Sequence, residues 1–310
     1  MSTYHQPVMA NTCIQQLRLK AKGIYVDATL GGAGHALAMY QREPQIRLYA
    51  FDQDADAIFE ARQRLEAYDP VLIQANFRDL RTSLAYNKVK SIDGILFDLG
   101  VSSHQLDDAQ RGFSFDKDAA LDMRMNRAQE LTAGQVVNES SLGTLRRIFK
   151  EYGEDQAFGR IARAIERARA EKTIATTKDL ATIIESVVGI GSKESLKTKV
   201  RIFQALRIFV NDELEALSAA LKDAINLLNP GGRIVVMSYH SLEDRIVKNI
   251  FKLEATDCIC PPAIINCICG HKSKLKIITK RPLMADSEEI SSNVRSRSAK
   301  LRVAEKKKGK

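Results

Sequence analysis

The spacing of apolar positions divides the chain into three stretches. In the first, short apolar runs alternate with segments of helical period. IYVDATL (24–30) predicts a buried strand that stops at a glycine-rich turn, and AGHALAMYQ (33–41) predicts a helix. RLYAFDQD (47–54) predicts a second strand with acidic residues at its end, followed by a helix over ADAIFEARQRLEAY (55–68). VLIQANF (71–77) and DGILFDLGV (93–101) predict two more strands. Continuous apolar strands alternating with helices at this pitch imply a parallel sheet covered on both faces.

The pattern changes from about residue 106 to about residue 212. LGTLRRIFKEYG, QAFGRIARAIERARAEK, TTKDLATIIESVVG and KTKVRIFQALRIFVNDEL all follow the 3.6-residue period, with Thr177 expected to cap the third of them. Residues 106–212 are therefore expected to form an all-helical insertion with a small core of its own, inside an α/β domain made of residues 1–105 and 213–310.

In the third stretch the α/β pattern resumes. DELEALSAALKDAINLLNPGG predicts a long amphipathic helix with Asn229, Pro230 and Gly231 as stop signals. GRIVVMSYH (232–240) predicts a fifth strand. SLEDRIVKNIFKLEA (241–255) predicts a helix opened by Ser241 and Asp244 at capping-box spacing. LKIITKR (275–281) and AKLRVAEK (299–306) predict the last two strands, the final one antiparallel beside the sheet.

Composition narrows the setting. The 310 residues are 45% hydrophobic and 27% charged, ample for a sizeable core. No apolar run approaches the length of a bilayer span, and the N-terminal segment lacks the apolar core and cleavage site of a secretory signal. Cys13 stands alone while Cys258, Cys260, Cys267 and Cys269 crowd together, unlike a secreted disulfide framework. A cytoplasmic protein with no membrane partner is expected. The net charge is +9, and residues 280–310 hold ten Lys/Arg against four Asp/Glu. Such a concentration suits a polyanion such as RNA, or alternatively a solvated tail that aids solubility.

The candidate chemistry begins at Asp27-Ala28-Thr29-Leu30-Gly31-Gly32-Ala33-Gly34-His35, a strand, a glycine-rich turn and a helix in succession. Ligands of open α/β sheets bind at the carboxyl ends of the strands. Asp52 closes the second strand, where a carboxylate can accept both hydroxyls of a ribose. The dinucleotide fingerprint fails, because Leu37 stands where its third glycine belongs, and no P-loop lysine is present. A ribose-binding acid without a phosphate-binding turn points to S-adenosyl-L-methionine; the alternative is a purely structural turn. Asp98, ending the fourth strand, belongs either to the same site or to a turn cap.

The strings HQPVM, DATLGGAGH, FDQD, DGILFDLGVSSHQLDDAQRGFSFDKDAALDMRM, YGED, RIFQALRIFVNDEL, NPGGRIVVMSYHSLEDRIVK and NVRSRSAKLRVAEK run almost from end to end. In them the chain resembles the ribosomal RNA small subunit methyltransferase H family, which methylates N4 of a cytosine in the decoding region of 16S rRNA. The resemblance implies a class I methyltransferase fold, Rossmann-like, with a mostly parallel seven-stranded sheet and a helical insertion that helps to hold RNA. It implies cofactor contacts at Ala33, Gly34, His35, Asp52, Phe77, Asp98 and Gln105. It also implies 16S rRNA or the small ribosomal subunit as partner, and a homodimer is left open. Two departures stand out. An acidic residue is missing at about Thr12. Tyr239 replaces a phenylalanine that often precedes the histidine of HSLEDR, an exchange that keeps an aromatic ring and is expected to change little.

An exocyclic cytosine amine is a weak nucleophile, so the reaction is largely a matter of positioning, aided by an acceptor for the amine hydrogens. Asp98 is the first catalytic candidate, although the Pro-Pro-aromatic sequence that follows this acid in many amino-methyltransferases is absent. His240 is the second, either facing RNA or fixing the start of a helix. The target base must leave its stack. Phe113 and Phe115 are either stacking platforms or core residues; Arg124, Arg127, Arg295, Arg297, Lys300 and Arg302 are either phosphate contacts or surface charges. Cys258, Cys260, Cys267 and Cys269 form C-x-C-x6-C-x-C, with His271 to spare; they are either structural zinc ligands or reduced or regulatory thiols. Two other functions stay open: methyl transfer to another nucleic acid, and a non-catalytic ribosome-assembly factor with this fold.

Overall fold

The computed structural model describes residues 7–261 and 266–308. His5 and Gln6 of the HQPVM segment, and Pro262 beside the cysteine cluster, lie outside the described residues. In chain order the elements are α1 (Ala10–Leu17), β1 (Ile24–Asp27), α2 (Gly34–Arg42), β2 (Arg47–Asp52), α3 (Ala55–Arg64), β3 (Val71–Gln74), α4 (Leu80–Tyr86) and β4 (Ile92–Asp98). Then come α5 (Ser103–Asp107), α6 (Ala133–Glu139), α7 (Leu142–Glu151), α8 (Phe158–Glu171), α9 (Thr177–Val188) and α10 (Lys193–Asn211). The chain closes with α11 (Glu213–Leu227), β5 (Leu228–Ser238), α12 (Ser241–Glu254), β6 (Leu275–Ile277), α13 (Ser287–Ser292) and β7 (Lys300–Lys306).

Residues 1–100 and 214–310 form one compact unit and residues 101–213 another. The first holds a seven-stranded sheet in the order β3-β2-β1-β4-β5-β7-β6. Strands β1 to β5 run parallel, and β7 runs antiparallel between β5 and β6. This is the class I methyltransferase sheet. Its period of two sends successive side chains to opposite faces. Tyr25, Leu48, Leu96, Val235 and Leu301 pack on the face with residues of α1, α2 and α3. Val26, Tyr49, Phe97, Val236 and Ala304 pack on the other, with residues of α4, α11 and α12. Both faces are covered, which is why the strands read as unbroken apolar runs.

Several boundaries differ from the sequence reading. Strand β1 stops at Asp27, leaving residues 28–33 to the turn. Strand β5 begins at Leu228, so the Asn-Pro-Gly-Gly segment lies within it, with a register shift against β4 at Ile92/Gly94. Asn229 donates to Asp93 Oδ1 there (3.2 Å), and a Cβ on Gly232 would lie 2.9 Å from the Asp93 carbonyl oxygen. Helix α9 is capped by Thr176, whose extended backbone (φ −121°, ψ 161°) suits a cap, in a box with Asp179. Thr177 is instead fully buried and pins the distant segment between α5 and α6, donating to the Lys117 carbonyl (2.8 Å).

The second unit is helical apart from loops and has its own core, formed by Leu145, Ile148, Phe149, Ile161, Ile165, Ile202 and Leu206 among others. Phe113 is buried in this core, and Phe115 meets Phe203 edge-to-face at 5.3 Å. Both take the core alternative. Buried Asn211 joins the end of α10 to the loop before α6, accepting from the Met125 N–H and donating to the Met123 carbonyl, both at 2.8 Å. Among the described residues no helix is long and apolar enough to cross a membrane.

Candidate active site

The order of strands places β1 and β4 side by side where the chain reverses direction across the sheet, the usual position of a ligand crevice. Three carboxylates end consecutive central strands there: Asp27 on β1, Asp52 on β2 and Asp98 on β4. Parallel pairing aligns them, with Asp27 opposite Ala50 on β2 and opposite Leu96 on β4.

The turn after β1 bends through left-handed backbone at Gly31 (φ 48°) and Ala33 (φ 60°) before α2 starts at Gly34. A Cβ on Gly34 would press against the Pro7 ring at 3.0 Å, so a glycine there lets the N-terminal segment approach. Asp52 holds the turn in place. Its Oδ2 accepts from the Gly31 N–H (2.8 Å) and its Oδ1 from the Asp54 N–H (2.9 Å). Arg64 adds a hydrogen bond to the Gly32 carbonyl. Phe77 sits just after β3, edge-to-face on Phe97 at 5.9 Å.

Asp98 is held from three sides. Its backbone N–H donates to Thr29 Oγ1 (2.6 Å), Tyr239 donates its hydroxyl to Oδ1 (2.8 Å), and His35 Nδ1 lies 3.5 Å from Oδ2. Buried His35 has its other ring nitrogen, Nε2, 3.0 Å from the Val8 carbonyl. A carbonyl only accepts, so Nε2 carries a proton and Nδ1 is free to share one with Asp98. Burial pushes the Asp98 carboxyl above its ordinary pKa, while His35 and Tyr239 pull it back. Asp27 is wholly buried; its Oδ1 accepts from the Thr29 N–H (3.1 Å), and Oδ2 has no protein partner. Burial pushes Asp27 up to about 6, against the opposing pull of His35 and the Thr29 N–H.

Two of these residues escaped the sequence reading. Asp27 ends an apolar run in the same way as Asp52 and Asp98, so the signal was present. Tyr239 was expected to change little, and the structure corrects this: a phenylalanine at that position has no hydroxyl to give Asp98.

Gln105 belongs to the helical unit. There it closes a capping box with Ser102, accepting from the Ser102 N–H at 3.0 Å. His240 is the cap of α12, in a box with Glu243, rather than Ser241 with Asp244. Its Nδ1 faces the Glu243 N–H (3.5 Å), and Nε2 lies 3.1 Å from Glu243 Oε1. Asp244 instead forms a two-pronged pair with Arg302 (2.6 and 3.1 Å). Arg124 is likewise engaged, by Asp122 (2.7 and 2.8 Å) and by the Arg127 and Gln129 carbonyls. These two guanidinium groups serve the fold. Arg297 is exposed. The sulfur atoms of Cys258, Cys260, Cys267 and Cys269 come together between α12 and β6.

The model of the MraW methylase family matches residues 2–307. The chain is 46% identical over 308 residues to the ribosomal RNA small subunit methyltransferase H of Carboxydothermus hydrogenoformans, covering 99% of each. It is 46% identical over 314 residues to the protein of that name from Clostridioides difficile, covering 99% of this chain and 100% of the other. The one from Geobacter sulfurreducens is 47% identical over 312 residues, with the same coverage. An open class I sheet, three acids at its central strand ends and a family match over nearly every residue agree, and the chain belongs to the MraW methylase family.

Proposed function

We propose that this protein transfers a methyl group from S-adenosyl-L-methionine to N4 of a specific cytosine in the decoding region of 16S rRNA. The observation that carries the cofactor reading is the convergence of Asp27, Asp52 and Asp98 at the strand ends, with Asp27 Oδ2 lacking a protein partner. An acidic crevice opposes a phosphate and suits a cation, and S-adenosyl-L-methionine carries positive charge on both its sulfur and its amino group. The substrate reading rests on the full-length similarity to proteins named ribosomal RNA small subunit methyltransferase H.

In this proposal Ala33, Gly34 and His35 border the methionine part of the cofactor, Asp52 takes the ribose, and Phe77 lies beside the adenine. When bound, S-adenosyl-L-methionine supplies an electrophilic methyl group, and the amine nitrogen that gains it gives up one proton. Asp98 is the residue for that amine. Its side chain keeps 23% of its surface exposed while Tyr239, His35 and Thr29 fix its orientation. A carboxylate so held accepts an amine hydrogen without reorganising, which favours positive charge developing on nitrogen. His35 beside it gives the departing proton a place within the pair. His240 works as the cap that starts α12.

The helical unit is proposed to grip RNA. Helices α7 and α8 pack together and expose Arg146, Arg147, Lys150, Arg160, Arg163 and Arg167. Such a cluster neutralises backbone phosphates irrespective of sequence.

The test is methyl transfer from labelled S-adenosyl-L-methionine to small ribosomal subunits lacking the modification, followed by nucleoside mass spectrometry. N4-methylcytidine in 16S rRNA is the expected product. Cofactor binding without incorporation would move the search to another nucleic acid or to an assembly role.

A further inference from the structure

Between Phe251 of α12 and Leu275 of β6 no described residue is buried. Residues 255–274 form the connection, and Ile259 and Ile268 are 48% and 77% exposed. A connection of this length with no fully buried residue among those described has little to offset the entropy of ordering it. It is nonetheless pinched at its base. The Lys274 N–H donates to the Glu254 carbonyl (2.7 Å), and His271 Nε2 lies 3.0 Å from the Leu253 carbonyl.

At the far end of this segment four cysteine sulfurs converge, all within 4.8 Å of one another. Cys258 to Cys267 and Cys267 to Cys269 are 3.5 Å apart, Cys269 to Cys258 3.9 Å, and Cys260 to Cys267 4.0 Å. Four thiolates placed tetrahedrally around a zinc ion, with Zn–S near 2.3 Å, stand about 3.8 Å from one another. The observed spacings bracket that edge length. Two disulfides would instead draw the sulfurs into pairs at about 2 Å, leaving the pairs further apart. Here Cys267 Sγ lies within 4.0 Å of the other three sulfurs and all four lie within 4.8 Å of one another, the arrangement of ligands around a shared centre.

We propose that Cys258, Cys260, Cys267 and Cys269 bind one zinc ion, which closes the connection between α12 and β6. The donor set is all sulfur, which selects zinc or iron over hard cations. Four protein ligands leave no open position, so the ion is structural and takes no part in methyl transfer. The backbone N–H of His271 donates to Cys269 Sγ (3.4 Å), the kind of contact that orients a thiolate and tempers its charge. His271 is thereby a support of the cluster, its ring turned to Leu253.

The experiment uses the full chain, reduced, equilibrated with equimolar zinc and passed through a desalting column. Elemental analysis is expected to find about one zinc per chain, with four thiols shielded from a thiol reagent until a chelator is added. Cys267→Ser and Cys260→Ser are expected to lose the zinc. Because either variant can also fail to fold, cobalt titration of the unaltered protein is the second measurement, with thiolate-to-cobalt absorption expected to saturate at about one equivalent. Zinc below about a tenth of an equivalent, with four freely reacting thiols, overturns the proposal. So does iron in place of zinc in protein as isolated, or a mass spectrum showing two disulfides in protein handled without reductant or oxidant.

Discussion

Tyr239, the residue after β5, donates its hydroxyl to Asp98 Oδ1 at the end of β4 over 2.8 Å. The two strands are parallel neighbours, so this bond ties together the tips between which the proposed chemistry takes place. It also favours the ionised form of Asp98 against the burial that opposes it. Tyr239→Phe removes the donor and keeps the ring. The Asp98 carboxyl then moves further above its ordinary range, and the acid limb of the pH–rate profile for methyl transfer moves to higher pH. Stability is expected to fall by about 1.5–3 kcal/mol, the worth of a hydrogen bond to a charged group. An acid limb that stays in place would disconnect the hydroxyl from the ionisation that matters.

Asp27 makes a prediction about the protein without its cofactor. Its folded pKa of about 6 lies above the ordinary 3.8, so the folded state holds this proton more tightly than the unfolded state. The stabilisation is complete below about pH 4, is lost as pH rises through about 6, and changes no further above that. Asp27→Asn keeps the acceptor for the Thr29 N–H and abolishes the charge. At pH 7 the variant is expected to melt higher, by roughly 1–3 kcal/mol in stability, and its melting temperature is expected to lose the pH dependence between 4 and 6. Equal melting temperatures at pH 7 would show that the buried carboxyl is not strained by its charge. Cofactor affinity, by contrast, is expected to fall in the variant, because a cation in the crevice gains from an ionised Asp27.

How far the fold was legible depends on what each element asks of its neighbours. Strands buried on both faces need apolar residues at every position, so β1, β2, β4 and β5 announced themselves locally, as did the acids that interrupt them at Asp52 and Asp98. The amphipathic helices of the second unit were equally plain. The caps were misread by one residue, because two overlapping pairs, His240 with Glu243 and Ser241 with Asp244, share the same spacing, and serine is the commoner cap. The Tyr239–Asp98 bond had no local signal, since it exists only once β4 and β5 are adjacent. The pairing of Arg302 with Asp244, 58 residues apart, was hidden for the same reason.

Asp52 has two tasks that substitution can separate. Both oxygens hold backbone N–H groups of the turns, and the proposal also gives the carboxylate to the ribose. Asp52→Ala frees the Gly31 and Asp54 N–H groups and is expected to cost about 1–3 kcal/mol of stability along with cofactor affinity. Asp52→Asn keeps the shape and one of the two turn hydrogen bonds but turns a donor NH2 toward the other N–H, so it is expected to lose less stability than Asp52→Ala. Its affinity for S-adenosyl-L-methionine is expected to drop at least tenfold by calorimetry, because the amide has one fewer acceptor for two hydroxyls. Unchanged affinity in the asparagine variant would take the ribose away from Asp52 and leave it the turn alone.

The basic face of α7 and α8 is tested through salt. Along α8, Arg160, Arg163 and Arg167 follow one another at intervals of three and four residues and therefore share one side of the helix. Exposed Arg146 and Arg147 on α7 add to them. A phosphate-binding surface releases counterions, so RNA affinity falls with salt with a logarithmic slope of about 0.7–0.9 per phosphate engaged. Replacing Arg163 and Arg167 together by glutamine is expected to weaken binding to a 16S rRNA fragment by about tenfold at low salt and to reduce that slope by roughly one to two. Both side chains are exposed, so melting should not move, and S-adenosyl-L-methionine affinity should not move either. Weaker RNA binding with an unchanged salt slope would mean that these arginines act through the shape of the helical unit. Unchanged binding would place the RNA on another surface, with the exposed Arg297 near the C-terminus as the next position to test.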